Sequence, residues 1–222
     1  MAGASGGWFN AGMIAAFNPG LLFLPLFATV PFLIFWFARK QAAKTRAELA
    51  VFAAAAGLRM TEKTILGITT VESLEGELQG RTVRFWTYAT GSGKSRTSWA
   101  AVGVGVPAGV ALQFDLTRQN FGSKLMELFG VHEIQVGDPA FDAAWFVRTN
   151  QPEFFAAALV PAIRTRLMAE LSDRRCAGFK LEQGIVQCAE QGWLSAGSAA
   201  RLAAKLPLLQ DLADVAEVSA RV

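Results

Sequence analysis

Residues 21–38 read LLFLPLFATVPFLIFWFA, eighteen residues without a charge. As a helix this run covers most of a bilayer's hydrocarbon core, roughly 30 Å at about 1.5 Å per residue, and a helix apolar on every side has no stable place at the surface of an aqueous domain. Asn18-Pro19 in front of it reads as an N-cap followed by proline at the first helical position, so the span is set at 19–39. Pro25 and Pro31 each remove a backbone hydrogen bond, a loss that spanning helices accommodate by local distortion. A bend is expected at one of them, either as a merely bent anchor or as a face shaped for another protein's helix.

The flanks give the direction. Residues 1–38 carry no charged side chain, whereas Arg39, Lys40, Lys44 and Arg46 crowd the exit, and the positive-inside rule keeps that side in the cytoplasm and the N-terminus outside. The apolar run ends in Phe35-Trp36-Phe37-Ala38-Arg39, which is no signal-peptidase site, so the span is expected to be retained. Trp36 suits the aromatic belt at the inner interface. Trp8 and Phe9, with Met13, Ile14 and Phe17, make an apolar segment for the outer bilayer face, the alternative being a Gly-rich tail. The expected membrane and partner interface is therefore Trp8, Phe9, Pro25, Pro31, Trp36, Arg39, Lys40, Lys44 and Arg46, with lipid and other membrane subunits as partners.

Composition supports a chain that meets something besides water: 52% of its residues are hydrophobic and only 18% charged. At 222 residues there is room for the span and one domain of about 150 residues. A net charge of +3 is too small to argue for nucleic acid. Cys176 and Cys188 read as reduced thiols, and with His132 as the lone histidine no four-ligand His/Cys zinc site can form, so neither metal nor cofactor is expected.

Beyond the span, residues 41–56, QAAKTRAELAVFAAAA, form a helical stalk stopped by Gly57. Its basic first turns face either anionic headgroups or solvent. Then SLEGELQ, TVRFWTYAT, TSWAAVGVGV and GVALQFDLT read as four strands of an antiparallel meander. In the second, Val83 and Phe85 alternate with Arg84, Trp86 and Tyr88, so one face is apolar and the other amphipathic, awaiting a helix, a partner or the membrane surface. A helix is expected over 120–129, a Gly-Asp-Pro turn at 137–139 and a strand over 145–149. Asn150-Gln-Pro-Glu153 resembles a capping box opening one long helix, with Phe155, Leu159, Ile163, Leu167 and Leu171 as its buried face. A hairpin around Gly184 and a C-terminal helical segment punctuated by Pro207 complete the chain. The fold expected is a single N-terminal transmembrane helix plus a cytoplasmic α+β domain with an antiparallel sheet: 1–18 external, 19–39 span, 40–57 stalk, 58–222 domain.

No motif carries chemistry. Gly91-Ser-Gly-Lys-Ser95 resembles the end of a phosphate-binding loop, but the first glycine's place is taken by Tyr88 and a strand follows instead of a helix. It reads as a hairpin tip, with Lys94 and Arg96 available to headgroups or an acidic partner. The polar residues of 137–142 with Arg148-Thr-Asn150 read as turn caps and mutual pairs, and Glu75 and Glu77 as the solvated side of an alternating strand. His132 has neither a nucleophile nor an orienting acid in any recognisable pattern.

The segments LEGELQGRTVRFWTYATGSGKSRTSWAAV and GDPAFDAAWFVRTN, behind a membrane helix and a helical stalk, resemble an uncharacterised family of bacterial membrane-anchored proteins, a domain of unknown function. The resemblance implies a bacterial inner membrane and transfers no catalytic residues. Expected is a non-catalytic single-pass accessory or scaffold subunit of a larger membrane complex. The H subunit of photosynthetic reaction centres has the same topology, an analogy of fold alone that extends the expectation to an energy-transducing complex, photosynthetic or respiratory. The alternative is a membrane-tethered cytoplasmic ligand-binding or sensor domain.

Overall fold

The structure, a computed structural model, describes residues 20–119 and 134–221, with side chains from residue 29 onward. The chain divides into two compact units, Met1–Gln41 and Ala42–Val222. Helix α1, Gly20–Ala55, runs through the boundary, so the expected span and stalk are one uninterrupted helix that includes Pro25 and Pro31. Among the described residues no helix is long and apolar enough to cross a membrane. The expected helix over 120–129 lies outside the described residues.

Helix α1 stops where the sequence places a glycine. Gly57 takes a left-handed φ of 66°, Leu58 N–H donates to the Ala53 carbonyl at 2.8 Å and Gly57 N–H to that of Ala54 at 3.4 Å. These two bonds make a Schellman stop, which turns the chain directly into the first strand. Within the second unit the helix buries one stripe, Leu49 and Ala53 with half-buried Phe52, whose ring meets Phe85 edge-on at 5.8 Å.

The sheet has eight strands: β1 Arg59–Ile65, β2 Ile68–Leu78, β3 Arg81–Thr90, β4 Thr97–Gly105, β5 Phe114–Arg118, β6 Trp145–Thr149, β7 Cys176–Glu182 and β8 Ile185–Gln191. Their order is β1-β2-β3-β4-β8-β7-β5-β6, and every pair is antiparallel. The expected meander is present but shifted. It gains β1 at its start, and the segment expected to be its fourth strand leaves it to pair with β6 and β7. That segment becomes extended only at Phe114, because residues 106–113 are a crossing loop. Gly109 turns it with φ of 93°, and the Asn150 side chain fastens it by accepting from Gln113 N–H and donating to the Ala111 carbonyl, each at 2.8 Å. The edge of β4 goes instead to β8, where Val102 meets Cys188 and Val104 meets Val186.

The helices lie against one face. They are α2 Pro139–Ala144, α3 Pro152–Ala158, α4 Pro161–Glu170, α5 Ala196–Ala203 and α6 Leu206–Ser219. Helix α2 replaces the expected simple turn because Asp138 accepts from the N–H groups of Ala140 and Phe141 just ahead of Pro139 at the helix start. The expected long helix is two. Pro161 has no N–H to donate and holds Val160 extended, yet Phe155, Leu159, Ile163 and Leu167 are all buried as the spacing predicts. The capping box at Asn150 does not form, since that side chain is committed to the crossing loop and Gln151 caps without a side-chain bond. Pro207 opens α6, and Ser195 and Ser198 form the reciprocal box that opens α5.

Replacing Gly57 with Ala keeps every contact but forces a Cβ into the left-handed region, with nothing nearby to clash. A loss of about 1 kcal/mol, or roughly 2–4 °C in Tm, is expected in thermal unfolding.

Candidate functional site

In the first unit residues 29–41 of α1 are exposed around the whole circumference. Residues 30–37 are Val, Pro, Phe, Leu, Ile, Phe, Trp and Phe, with Phe32 67%, Ile34 65% and Phe37 62% exposed. An amphipathic surface helix would hide one stripe of these. Trp36 lies edge-on to Phe37 at 5.1 Å, and Lys40 Nζ sits 5.3 Å from the Trp36 ring, so the cation and its aromatic neighbour close the apolar stretch together. Arg39 is exposed beside them, and Pro31 lies within the exposed stretch. Trp8 and Phe9 fall outside the described residues, as does the side chain of Pro25.

The remaining two interface residues belong to the second unit and are partly occupied there. Lys44 pairs with Glu48 one turn on at 3.8 Å, and Arg46 Nε donates to Glu62 on β1 at 2.5 Å. Arg46 thereby ties the stalk to the sheet.

The polar residues weighed for chemistry resolve into structure. Asp142 accepts from Val136 N–H at 2.9 Å and Gly137 N–H at 3.1 Å; Asp138 pairs with Arg164; Arg148 pairs with Asp115. Glu75 is paired with Arg84 at 3.0 Å, while Glu77 is exposed. The Gly91–Ser95 loop is a hairpin connection containing one 3-10 turn, Gly93–Ser95, and it feeds a strand. Gly91 is required there: a Cβ would fall 2.4 Å from the Ser95 carbonyl oxygen. Cys176 and Cys188 are buried free thiols on adjacent strands, the hydrogen bond between them and burial pushing Cys188 well above the usual thiol range. His132 lies outside the described residues. Among the described residues no cluster of three metal-ligating side chains occurs.

One polar network was invisible to spacing. Arg118, 7% exposed at the end of β5, donates to the carbonyls of Glu170, Leu171 and Asp173 at the C-terminus of α4. A guanidinium there satisfies carbonyls left without helical partners and meets the negative end of the helix dipole. Lys205, between α5 and α6, completes the cluster by pairing with both Glu170 and Asp173. Burial opposes the charged forms, but the hydrogen bonds to the two carboxylates outweigh it and raise Lys205 above its ordinary value; Asp173 is held below its own by Lys205 and the Arg175 N–H. The signs differ at the two extremes. The lysine's contribution is complete below its ordinary value near 10.5 and is lost as pH rises through the folded value. The aspartate's is complete above 3.8 and is lost as pH falls through the folded value. Lys205→Met is expected to cost about 2 kcal/mol at neutral pH, by stranding two carboxylates, and to flatten the alkaline limb of a stability-versus-pH curve measured by urea unfolding.

The second unit carries several concavities, among them a groove and a cleft. A groove of about 520 Å³ between α3, α4 and α6 is lined by Phe154, Ala158, Val160, Ile163, Val215 and Val218, with Arg166 and Asp211 paired at its rim. A cleft of about 630 Å³ beside β5, β6 and β7 holds the Arg148–Asp115 and Lys180–Glu182 pairs, so its charges neutralise one another. On the face opposite Val83 and Phe85, Trp86 and Tyr88 are half-buried and Arg84 is exposed, 5.8 Å from the Trp86 ring.

No protein-family model matches the sequence, and no curated protein matches it. Among solved structures, the chain is similar to the mycobacterial trehalose monomycolate transport factor A, TtfA, at 12% identity and a TM-score of 0.48, over 77% of this chain and 93% of that one.

Proposed function

We propose that the chain is a non-catalytic accessory subunit of a membrane protein complex, anchored by α1 in a bacterial inner membrane with its N-terminus outside and residues 42–222 on the cytoplasmic side. The observation that carries this reading is the exposure, on every side of α1, of the apolar residues 30–37, followed at once by Arg39 and Lys40. Water disfavours such a surface by about 25 cal/mol per Å², whereas lipid accepts it, and the sequence carries no charge from residue 21 to residue 38. The adjacent Trp36 and Lys40 have the chemistry of an interfacial girdle. The resemblance to membrane-anchored proteins fits the same reading.

A scaffold role is supported by the way the domain's charged groups are spent. Most of the carboxylates and cations weighed for catalysis pair with one another or cap helices, Glu77 standing exposed without an ion pair among the described residues, whereas the aromatic sheet face offers a surface for another protein. An energy-transducing complex is the class of partner suggested by topology alone. The second reading, a tethered sensor, draws on the apolar groove beneath α3 and α6, whose size suits a small apolar ligand.

Alkaline carbonate washing of membranes separates anchored from peripheral chains; the protein is expected in the pellet, and full extraction into the supernatant would overturn the anchor. Purification in mild detergent distinguishes the two roles. A stoichiometric complex of fixed composition is expected, while a monodisperse monomer carrying a ligand in the groove would replace the scaffold with the sensor.

A further inference from the structure

The sheet of the second unit has two ends, and exposed groups are shared unequally between them. At one end lie the β1–β2 turn, the β3–β4 loop, the link from β8 to α5 and the approach to β7. Helix α1 enters the unit at this same end, because it runs antiparallel to β1: Arg46 reaches Glu62, and the helix stops at Gly57 just before β1 begins.

This end carries large apolar side chains that the fold does not use. Leu66 is 87% exposed, Ile65 57% and Trp193, in the β8–α5 link, 70%. Leu66 is also held at φ 50°, followed by Gly67 at 75°, in a two-residue turn whose first position favours Asn or Gly. Gln79 and Gln183 take the same left-handed first position in turns at the far end, with φ 54° and 52°, but there the side chains are polar; an apolar leucine so exposed gains nothing for the fold, and a local conflict of that kind points to a role outside it.

The same end gathers unpaired cations. Lys94 and Arg96 on the β3–β4 loop, Arg174 and Arg175 before β7, and Lys63 near the β1–β2 turn are exposed, and among the described residues none of the five is in an ion pair. Lys63, Arg96 and Trp193 line one depression of about 180 Å³. Among described residues the unpaired carboxylate nearby is Glu72, whereas at the far end Glu77 and Glu153 stand with Arg59 and Arg221, two of each sign.

We infer that this end of the domain rests on an anionic phospholipid surface, with Ile65, Leu66 and Trp193 entering the headgroup layer and the five cations facing lipid phosphates. The apolar groups stand on separate projecting turns rather than around a groove, which suits a fluid surface better than a protein's side chain, and the positive charge supplies the preference for anionic lipid. The inference rests on the anchoring proposed above, since α1 enters where the contact is made.

The test is hydrogen exchange of the full chain in nanodiscs of phosphatidylglycerol-rich or pure phosphatidylcholine lipid. In the anionic discs, amides of 65–67, 92–96 and 192–194 are expected to exchange at least about tenfold more slowly, since each near-surface cation shifts such an equilibrium by roughly fivefold. High salt is expected to abolish the difference. Lys94→Gln with Arg96→Gln is expected to remove most of the protection at all three turns. Leu66→Asn, which relieves the left-handed strain, is expected to lower protection while leaving Tm unchanged or higher. Equal exchange in both lipids by chains that insert into the discs overturns the lipid contact and leaves the anchor standing. Failure of the chain to insert at all overturns the anchor and the contact with it. Protection produced by an acidic protein or nucleic acid but not by phosphatidylglycerol also overturns the lipid assignment.

Discussion

Helix α1 exposes the apolar residues 30–37 on every side, whereas from residue 42 onward it buries a single stripe against the sheet, and the domain is built on that stripe. From residue 42 onward the helix behaves like any surface helix: Leu49, Phe52 and Ala53 form a stripe against Phe85 and the core, while Lys44, Arg46 and Glu48 face outward. Over residues 30–37 the pattern has no polar side. The boundary between the two units falls just beyond Arg39 and Lys40. The Schellman stop at Gly57 fixes which end of the sheet receives the helix, because it sends β1 back along the stalk.

The domain itself is a sheet with helices on one side, and its polar interior is organised around helix ends. Arg118 and Lys205 close the C-terminus of α4; Arg81 reaches across from β3 to Asp214 and Glu217 on α6; Arg201 on α5 pairs with Glu190, itself buried on β8. Arg118, Arg81 and Arg201 each join a helix to the sheet by a charge-assisted bond, and Lys205 joins two helical segments, which fixes the register of the helical layer as well as adding stability. Among the described residues five cations remain outside these pairings where the chain enters the domain, Lys63, Lys94, Arg96, Arg174 and Arg175, against the single carboxylate of Glu72.

The sequence made parts of this legible for definite reasons. The hairpin around Gly184, the strand alternation of Val83 and Phe85, the stop at Gly57 and the buried spacing of Phe155, Leu159, Ile163 and Leu167 all rest on local geometry, which periodicity reports directly. What escaped depends on distant partners. Asn150 looks like a helix cap but serves the crossing loop 37 residues earlier, and β5 looks like the next strand of a meander until β8 claims the edge of β4. Arg118, Glu170, Asp173 and Lys205 lie in four separate stretches, so no spacing could announce them. Leu66 was readable only once its backbone angle was known. Of the nine residues expected at a membrane or partner interface, Trp36 and Lys40 meet each other, whereas Arg46 is spent on holding the stalk.

The anchoring proposed for α1 is tested most directly by single cysteines placed along residues 30–46 and treated with a membrane-impermeant maleimide, the native thiols at 176 and 188 being buried. Positions 30–37 should resist labelling on every side of the helix, before and after permeabilisation of the cells, and position 44 should label only after it. Labelling of 30–37 with a helical period, or labelling of position 44 in intact cells, would contradict the anchor or its direction.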